Sequence, residues 1–225
     1  MRNIRPNYLF NRCQGCDFSS FIPSKDGLSM LERTCLVALM KITKARRIFE
    51  FGTFLGETTR LFADNLEPDN LSIKSTKGCH LDGGIGVWTL DIQDTVGIDF
   101  VSDDGRLARM STEHKQVFVK GSMKRDYIHQ IYQDSLYFRT ERYAKLFDLV
   151  FVDGNHALRY FTSDTSKAFE MVSPSGVVVW HDYSNPKFPE LTEFLNQRDG
   201  NVIHIEETML AFQFFDNRSF SEGVR

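Results

Sequence analysis

The chain has 225 residues, 41% of them hydrophobic and 25% charged, with a formal net charge of -3. That composition excludes intrinsic disorder and offers no general attraction to a phosphate backbone, so nucleic acid is not an expected partner. The length fits about one domain around a single core, and the 20 phenylalanines point to an aromatic interior or an apolar pocket.

Residues 1–28 have mixed composition, with Pro6, Pro23 and the aromatics Tyr8, Phe10, Phe18 and Phe21, and no sustained period. They are expected to form an arm or lid ahead of a main domain at 29–225. The opening MRNIRPNYLF lacks the apolar run of a signal peptide, and the longest apolar stretches are strand-sized. The expectation is a cytoplasmic protein with no membrane partner and with Cys13, Cys16, Cys35 and Cys79 as reduced thiols. The alternative for the cysteines is a tetrahedral zinc site from Cys13-x-x-Cys16 and Cys79-His80.

From Ser29 to Lys44 the apolar residues recur with a mainly helical spacing, which predicts a helix leading into the core. Arg47–Phe51 reads as a strand, followed by a glycine-bearing turn and a helix over Glu57–Asn65 that stops before Pro68. The polar, glycine-rich stretch Glu67–Gly84 looks like an insertion. Gly86–Asp91 is a second strand, ending in an acid. Ile92–Lys115 contains a turn at Ser102-Asp103-Asp104-Gly105 with a helix after it.

Gln116–Lys120 reads as a third strand closed by Gly121-Ser122, and Tyr127–Tyr137 as a helix with Ile128, Ile131 and Leu136 inward. Phe147–Val152 is a fourth strand, ending at Asp153-Gly154. Phe161–Val172 is helical, and Pro174-Ser175-Gly176 turns the chain into the buried strand Val177–Trp180. Pro189–Gln197 is a further helix, and Val202–Ile205 with Met209–Phe215 makes an antiparallel hairpin. The alternation predicts an α/β fold: a Rossmann-like, doubly wound, mostly parallel seven-stranded sheet with a C-terminal antiparallel hairpin.

In such a sheet ligands sit beyond the carboxyl ends of the strands. Those ends carry Glu50, Asp91, Gly121-Ser122, Asp153 and His181-Asp182, so four of five bear an acid. An acid at a loop tip is ordinary as a cap or turn former, whereas four on consecutive strands point to a shared site. The turn Gly52-Thr53-Phe54-Leu55-Gly56 lets backbone approach a ligand and offers N–H groups at a helix start. Carboxylate and phosphate would fit it equally, but Glu50 in front of it suits an ammonium group better than a pyrophosphate. Asp91 is placed to accept from ribose hydroxyls.

Four blocks in order, Phe49–Thr59, Thr89-Leu90-Asp91, Phe147–His156 and Ser173–Tyr183, resemble class I S-adenosylmethionine-dependent methyltransferases. Within that class the resemblance is greatest to the small O-methyltransferase group that includes catechol, caffeoyl-CoA and macrolide-sugar methyltransferases, over roughly Leu31 to Phe215. It implies that Glu50, Gly52 and Gly56 surround the methionine part of the cofactor, with Thr53, Phe54 and Thr58 of the same turn. It also implies that Asp91 and Ile92 hold the ribose end, that Gly121-Ser122 borders the adenine, and that Asp153 joins the cofactor contacts. The acid that often follows the glycine in the family is Ser122 here.

Metal-dependent members hold a divalent cation at the positions of Asp153, His181 and Asp182, so Mg²⁺ or another divalent ion is an implied companion of S-adenosylmethionine. Asn155 offers an amide oxygen, and His181 tilts such a site towards Mn²⁺, Fe²⁺ or Zn²⁺. Asp153, His156 and His181 are the candidate catalytic residues, the histidines as general bases. The bland alternatives are that His156 caps the next helix, His181 packs beside Trp180 and Tyr183 is packing.

The implied reaction is O-methylation of a small-molecule hydroxyl by in-line displacement at the sulfonium methyl. A homo-oligomer is compatible with it. The rivals are a dinucleotide-dependent oxidoreductase, disfavoured by the missing third glycine, a cephalosporin-hydroxylase-like relative, and a non-catalytic protein that keeps the fold.

Overall fold

The central strands are short runs of β-branched and aromatic residues whose alternate side chains enter two different cores. A computed structural model describes residues 1–13, 27–67, 84–98, 100–101, 104–114, 122, 124–198 and 201–215. In chain order the elements are β1 (Arg2–Ile4), α1 (Pro6–Phe10), α2 (Met30–Thr43), β2 (Arg47–Phe51), α3 (Glu57–Asn65), β3 (Gly86–Asp91) and α4 (Asp104–Glu113). They continue with β4 (Ile128–Tyr132), β5 (Phe147–Val152), α5 (Leu158–Met171), β6 (Val172–Trp180), α6 (Pro189–Asn196), β7 (Ile203–Ile205) and β8 (Ala211–Phe214).

The sheet order is β1-β7-β8-β6-β5-β2-β3-β4, with β8 antiparallel to both β6 and β7 and the other pairings parallel. Ile48, Leu149, Phe151, Val177 and Val179 face the layer of α2 and α3. Phe49, Phe51, Val150, Val152, Val178 and Trp180 face the layer of α5 and α6. This is the period of two expected of strands covered on both faces. The phenylalanine excess is largely accounted for here: Phe49 packs against Phe51, Phe138 and Phe147 with ring centroids 4.9, 5.4 and 5.1 Å apart.

Among the described residues the sheet has eight strands, where the sequence led us to expect seven. The added strand is Arg2–Ile4, paired in parallel with Ile203–Ile205. The next helix buries Leu9 completely, so the first ten residues pack along the sheet edge. Residues 14–26, part of the expected arm or lid, and 68–83, most of the expected insertion, lie outside the described residues, as do Cys16, Cys79 and His80. Cys13 is half-buried and Cys35 is buried.

The expected strand at 116–120 lies outside the described residues, and the expected helix at Tyr127–Tyr137 is corrected by the structure. Ile128–Tyr132 is a strand that pairs with Val87–Asp91. Ile128 and Ile131 have the spacing of a helix face, but an odd separation along a strand sends side chains to opposite faces. They pack accordingly against the two different cores. The exit of the strand beside β3 is therefore at Gln133–Ser135 and not at Gly121-Ser122. No helix among the described residues is long and apolar enough to cross a membrane.

Candidate active site

The turn after β2 is built by backbone that side chains would obstruct. Gly52 has φ +93°, and a Cβ there would stand 2.1 Å from the Asp153 carbonyl oxygen at the end of β5. Only glycine satisfies both constraints. Phe54 also has positive φ, and Gly56, with φ +83°, starts α3. The turn is tied to β3, because Gly52 N donates to Leu90 O at 2.9 Å and Phe54 N donates to Asp91 Oδ2 at 2.9 Å.

Two acids lie under this turn. Glu50 is 1% exposed and accepts from the Thr59 hydroxyl and, at 2.7 Å, from the Thr89 hydroxyl. Burial pushes its carboxyl up to about 8 despite those bonds, with the charges of Asp153 and Asp91 adding to the rise. Thr53 and Thr89 share a hydroxyl contact of 2.7 Å, and Gln130 Nε2 donates to Thr53 Oγ1 at 3.0 Å. Asp91 accepts from Ile92 N at 2.8 Å and from the Ser111 hydroxyl of α4 at 2.6 Å. Burial raises its carboxyl too, against these hydrogen bonds.

The ends of β5 and β6 bring Asp153, His181 and Asp182 together, with one potential ligand atom from each within 4.8 Å of the others. His181 Nδ1 is 3.2 Å from both Asp153 Oδ1 and Asp182 Oδ2, and its Nε2 faces Glu32 Oε1 at 3.5 Å. Burial works to lower the His181 imidazole, but Asp153 and Asp182 hold it well above the usual histidine range. Burial likewise works to raise Asp182, yet His181 and His156 hold it well below the usual carboxylate range.

His156 is engaged on both ring nitrogens. Nδ1 lies 2.7 Å from Asp104 Oδ1 and Nε2 lies 2.6 Å from Asp182 Oδ2, while the ring stacks on Phe188 at 4.3 Å. Burial works to lower this imidazole, but the two carboxylates raise it to about 10. A ring that keeps its proton at neutral pH does not act as a general base.

These groups border one cavity of ≈ 400 Å³ at the carboxyl ends of the strands. Gly52, Thr53, Phe54, Thr58, Asp91, Ile92, Asp153, His156, His181 and Asp182 line it. Glu50 lies beneath it. Ser122 does not line it: its hydroxyl donates to Asp64 Oδ1 at 2.8 Å, beside the last turn of α3 and away from the strand exits. The adenine-side expectation for Ser122 is thereby corrected, because β4 leaves the sheet elsewhere, and Gly121 lies outside the described residues. Asn155 Oδ1 accepts from Ala157 N at 2.9 Å, and the buried Tyr183 donates its hydroxyl to Asn196 Oδ1 at 3.2 Å.

Glu32, Asp104, Ser111 and Asp164 belong to the site and were not singled out from the sequence. The signal for Glu32 was legible in Ser29-x-x-Glu32, which forms a capping box at the start of α2. Asp104 stands in the Ser102–Gly105 turn motif, but nothing along the chain couples it to His156, 52 residues away. Ser111 and Asp164 carried no such signal, each being an ordinary polar position on a helix.

Residues 49–183, more than half of the chain, match the family model described as a methyltransferase domain. No curated protein sequence matches the chain. Among solved structures, the calicheamicin methyltransferase CalS11 is 13% identical at TM-score 0.57, covering 83% of this chain and 79% of its own. A cofactor-bound protein from MTB, Rv0187, is 16% identical at TM-score 0.54, covering 86% and 84%. A protein assigned as a caffeoyl-CoA O-methyltransferase from Staphylococcus aureus is 15% identical at TM-score 0.54, covering 85% and 84%. At these identities the likeness is one of fold.

Proposed function

The chain belongs to the methyltransferase-domain family matched over residues 49–183, and from that membership we propose that it transfers the methyl group of S-adenosylmethionine to a hydroxyl oxygen of a small molecule. The observation that carries the reading is the convergence, on one cavity of ≈ 400 Å³, of the Gly52–Gly56 turn, Asp91 and the cluster of Asp153, His181 and Asp182. Such a volume suits a small-molecule site.

In this reading the turn and the buried Glu50 receive the amino-acid end of the cofactor, and Asp91 accepts from its ribose. The turn lacks the third glycine of the dinucleotide fingerprint, which disfavours a dinucleotide. The acceptor lies between the sulfonium and Asp153, the cluster member most open to the cavity at 24% exposed. Asp153 orients the attacking hydroxyl, so that oxygen, methyl carbon and sulfur fall in line. The hydroxyl oxygen forms the new bond to carbon, the carbon–sulfur pair returns to sulfur, and the hydroxyl proton passes to the Asp153 carboxylate and from there to solvent.

The two carboxylates and one imidazole match the donor chemistry of a divalent cation, and Asp153, His181 and Asp182 would hold it. Such an ion, when bound, lowers the pKa of a hydroxyl and fixes its position. His156 serves as the clamp between Asp104 and Asp182 and not as the base. The reading includes a cytoplasmic setting and a small-molecule acceptor.

Calorimetry with S-adenosylhomocysteine and with NAD tests the donor, and radiolabelled methyl transfer to a panel of phenols, sugars and hydroxy acids, with and without chelator, tests the reaction. Binding of S-adenosylhomocysteine and transfer to at least one hydroxyl are expected. Binding of NAD alone sinks the reading.

A further inference from the structure

Asp164 lies on α5, 1% exposed, and lines the same cavity. Its Oδ2 accepts from the Ser135 hydroxyl at 3.1 Å, whereas its buried Oδ1 has no hydrogen-bond partner. A buried carboxylate oxygen without a donor is costly, and such an oxygen on a cavity wall marks a place for a ligand's N–H.

The surroundings hold the pair in place. Lys167 Nζ donates to Ser135 O and, at 3.1 Å, to Leu136 O, while the Tyr160 hydroxyl donates to Asp134 Oδ2 at 3.2 Å. The loop leaving β4 is thus pinned to α5. Asp164 also stands beside the end of β5, since a Cβ on Gly154 would lie 3.4 Å from its Oδ2. Burial pushes the Asp164 carboxyl up to about 7, against the Ser135 hydrogen bond and the charge of Lys167, as an acid without its full set of donors should behave.

Sheet order indicates which part of a ligand arrives there. A cofactor with its amino-acid end at the β2 turn and its ribose on Asp91 of β3 continues across the sheet towards the exit of β4, where Gln133 and Ser135 line the wall. We propose that Asp164, held by Ser135, accepts a hydrogen bond from the exocyclic 6-amino group of the cofactor's purine and selects adenine over a 6-oxo purine. The proposal rests on the S-adenosylmethionine reading above and adds the residue that sets base specificity.

Calorimetry of the full chain with S-adenosylhomocysteine and with S-inosylhomocysteine, whose purine carries a 6-oxo group, tests it. At pH 9, where the Asp164 carboxyl is ionised, the wild type is expected to favour the adenine compound by about tenfold or more, the cost of leaving a buried acceptor facing an acceptor, and the preference is expected to shrink below pH 7, where the protonated carboxyl can donate to a 6-oxo oxygen. In Asp164→Asn the amide keeps its oxygen on Ser135 and turns its NH₂ towards the base, and the preference is expected to fall to within about threefold. Ser135→Ala, which frees Asp164 to rotate, is expected to narrow it as well.

If the wild type binds neither compound, the cofactor reading itself fails. Equal binding of the two compounds by the wild type at pH 9 overturns the assignment of Asp164 and leaves the cofactor reading standing. Full wild-type discrimination retained in Asp164→Asn does the same. Should Asp164→Asn not fold, discrimination left intact in Ser135→Ala counts against the proposal and a narrowed preference counts for it.

Discussion

His156 Nε2 lies 2.6 Å from Asp182 Oδ2, and this contact fastens α4, through Asp104 on the other ring nitrogen, to the end of β6. The relationship assigns His156 a structural charge where the sequence offered a base.

Stability should register that charge. The imidazole rises from 6.5 to about 10 on folding, so the folded chain binds the proton more tightly than the unfolded chain. The contribution is complete below pH 6.5 and is lost as pH rises through about 10. Urea unfolding between pH 6.5 and 10 should show falling stability with this component absent in His156→Gln, which should cost about 3 kcal/mol at pH 7 because two buried carboxylates lose their partner. An unchanged variant would mean the clamp is not formed.

Gly52→Ala should be the most damaging single methyl. The added carbon meets the Asp153 carbonyl at 2.1 Å and φ is +93°, so the turn must move. A loss of about 3 kcal/mol or more, with no detectable S-adenosylhomocysteine binding, is expected from calorimetry and denaturation together.

Glu50→Gln separates stability from binding. The Glu50 carboxyl is raised from 4.5 to about 8 in the folded chain, so the cost of its ionisation builds up as pH rises from 4.5 and is complete above about 8. The amide removes that cost, and the variant should exceed wild type by on the order of 1–2 kcal/mol at pH 9 while binding S-adenosylhomocysteine about tenfold more weakly. Equal affinity in the two proteins would detach Glu50 from the cofactor.

Asp153→Ala should reduce Mn²⁺ affinity by calorimetry about tenfold or more and leave the fold intact, since Asp153 is the least buried member of the cluster. Glu32→Gln should act on the same readout more mildly. Burial works to raise the Glu32 carboxyl, but its contacts with His181, Met209 N and Ser29 bring it down to about 2, so it stays charged behind the imidazole. Its stabilisation is present above pH 4.5 and is lost as pH falls through about 2, and acid unfolding of the Gln variant should lack that component. No change in Mn²⁺ affinity for either variant would remove the metal reading.

The sequence by itself determined the strands of the central sheet, the glycine turn and the acids at the strand ends. Each depends on neighbours in the chain: nearly continuous buried runs of β-branched and aromatic residues for β2, β3 and β5, positive φ for Gly52, and a carboxylate at or next to the last residue of a strand. It misread Ile128–Tyr132 because two isoleucines three apart satisfy helix and strand equally until β3 supplies the hydrogen bonds. Only the tertiary structure decided that strand, and with it which loop ends the cavity. It also decided the partners of His156, since Asp104 and Asp182 lie 52 and 26 positions away and meet it only when α4 closes over the strand ends. Charge pairing across such separations is a property of the packed chain, and it changed His156 from a candidate base into a clamp and brought Asp164 to the cavity wall.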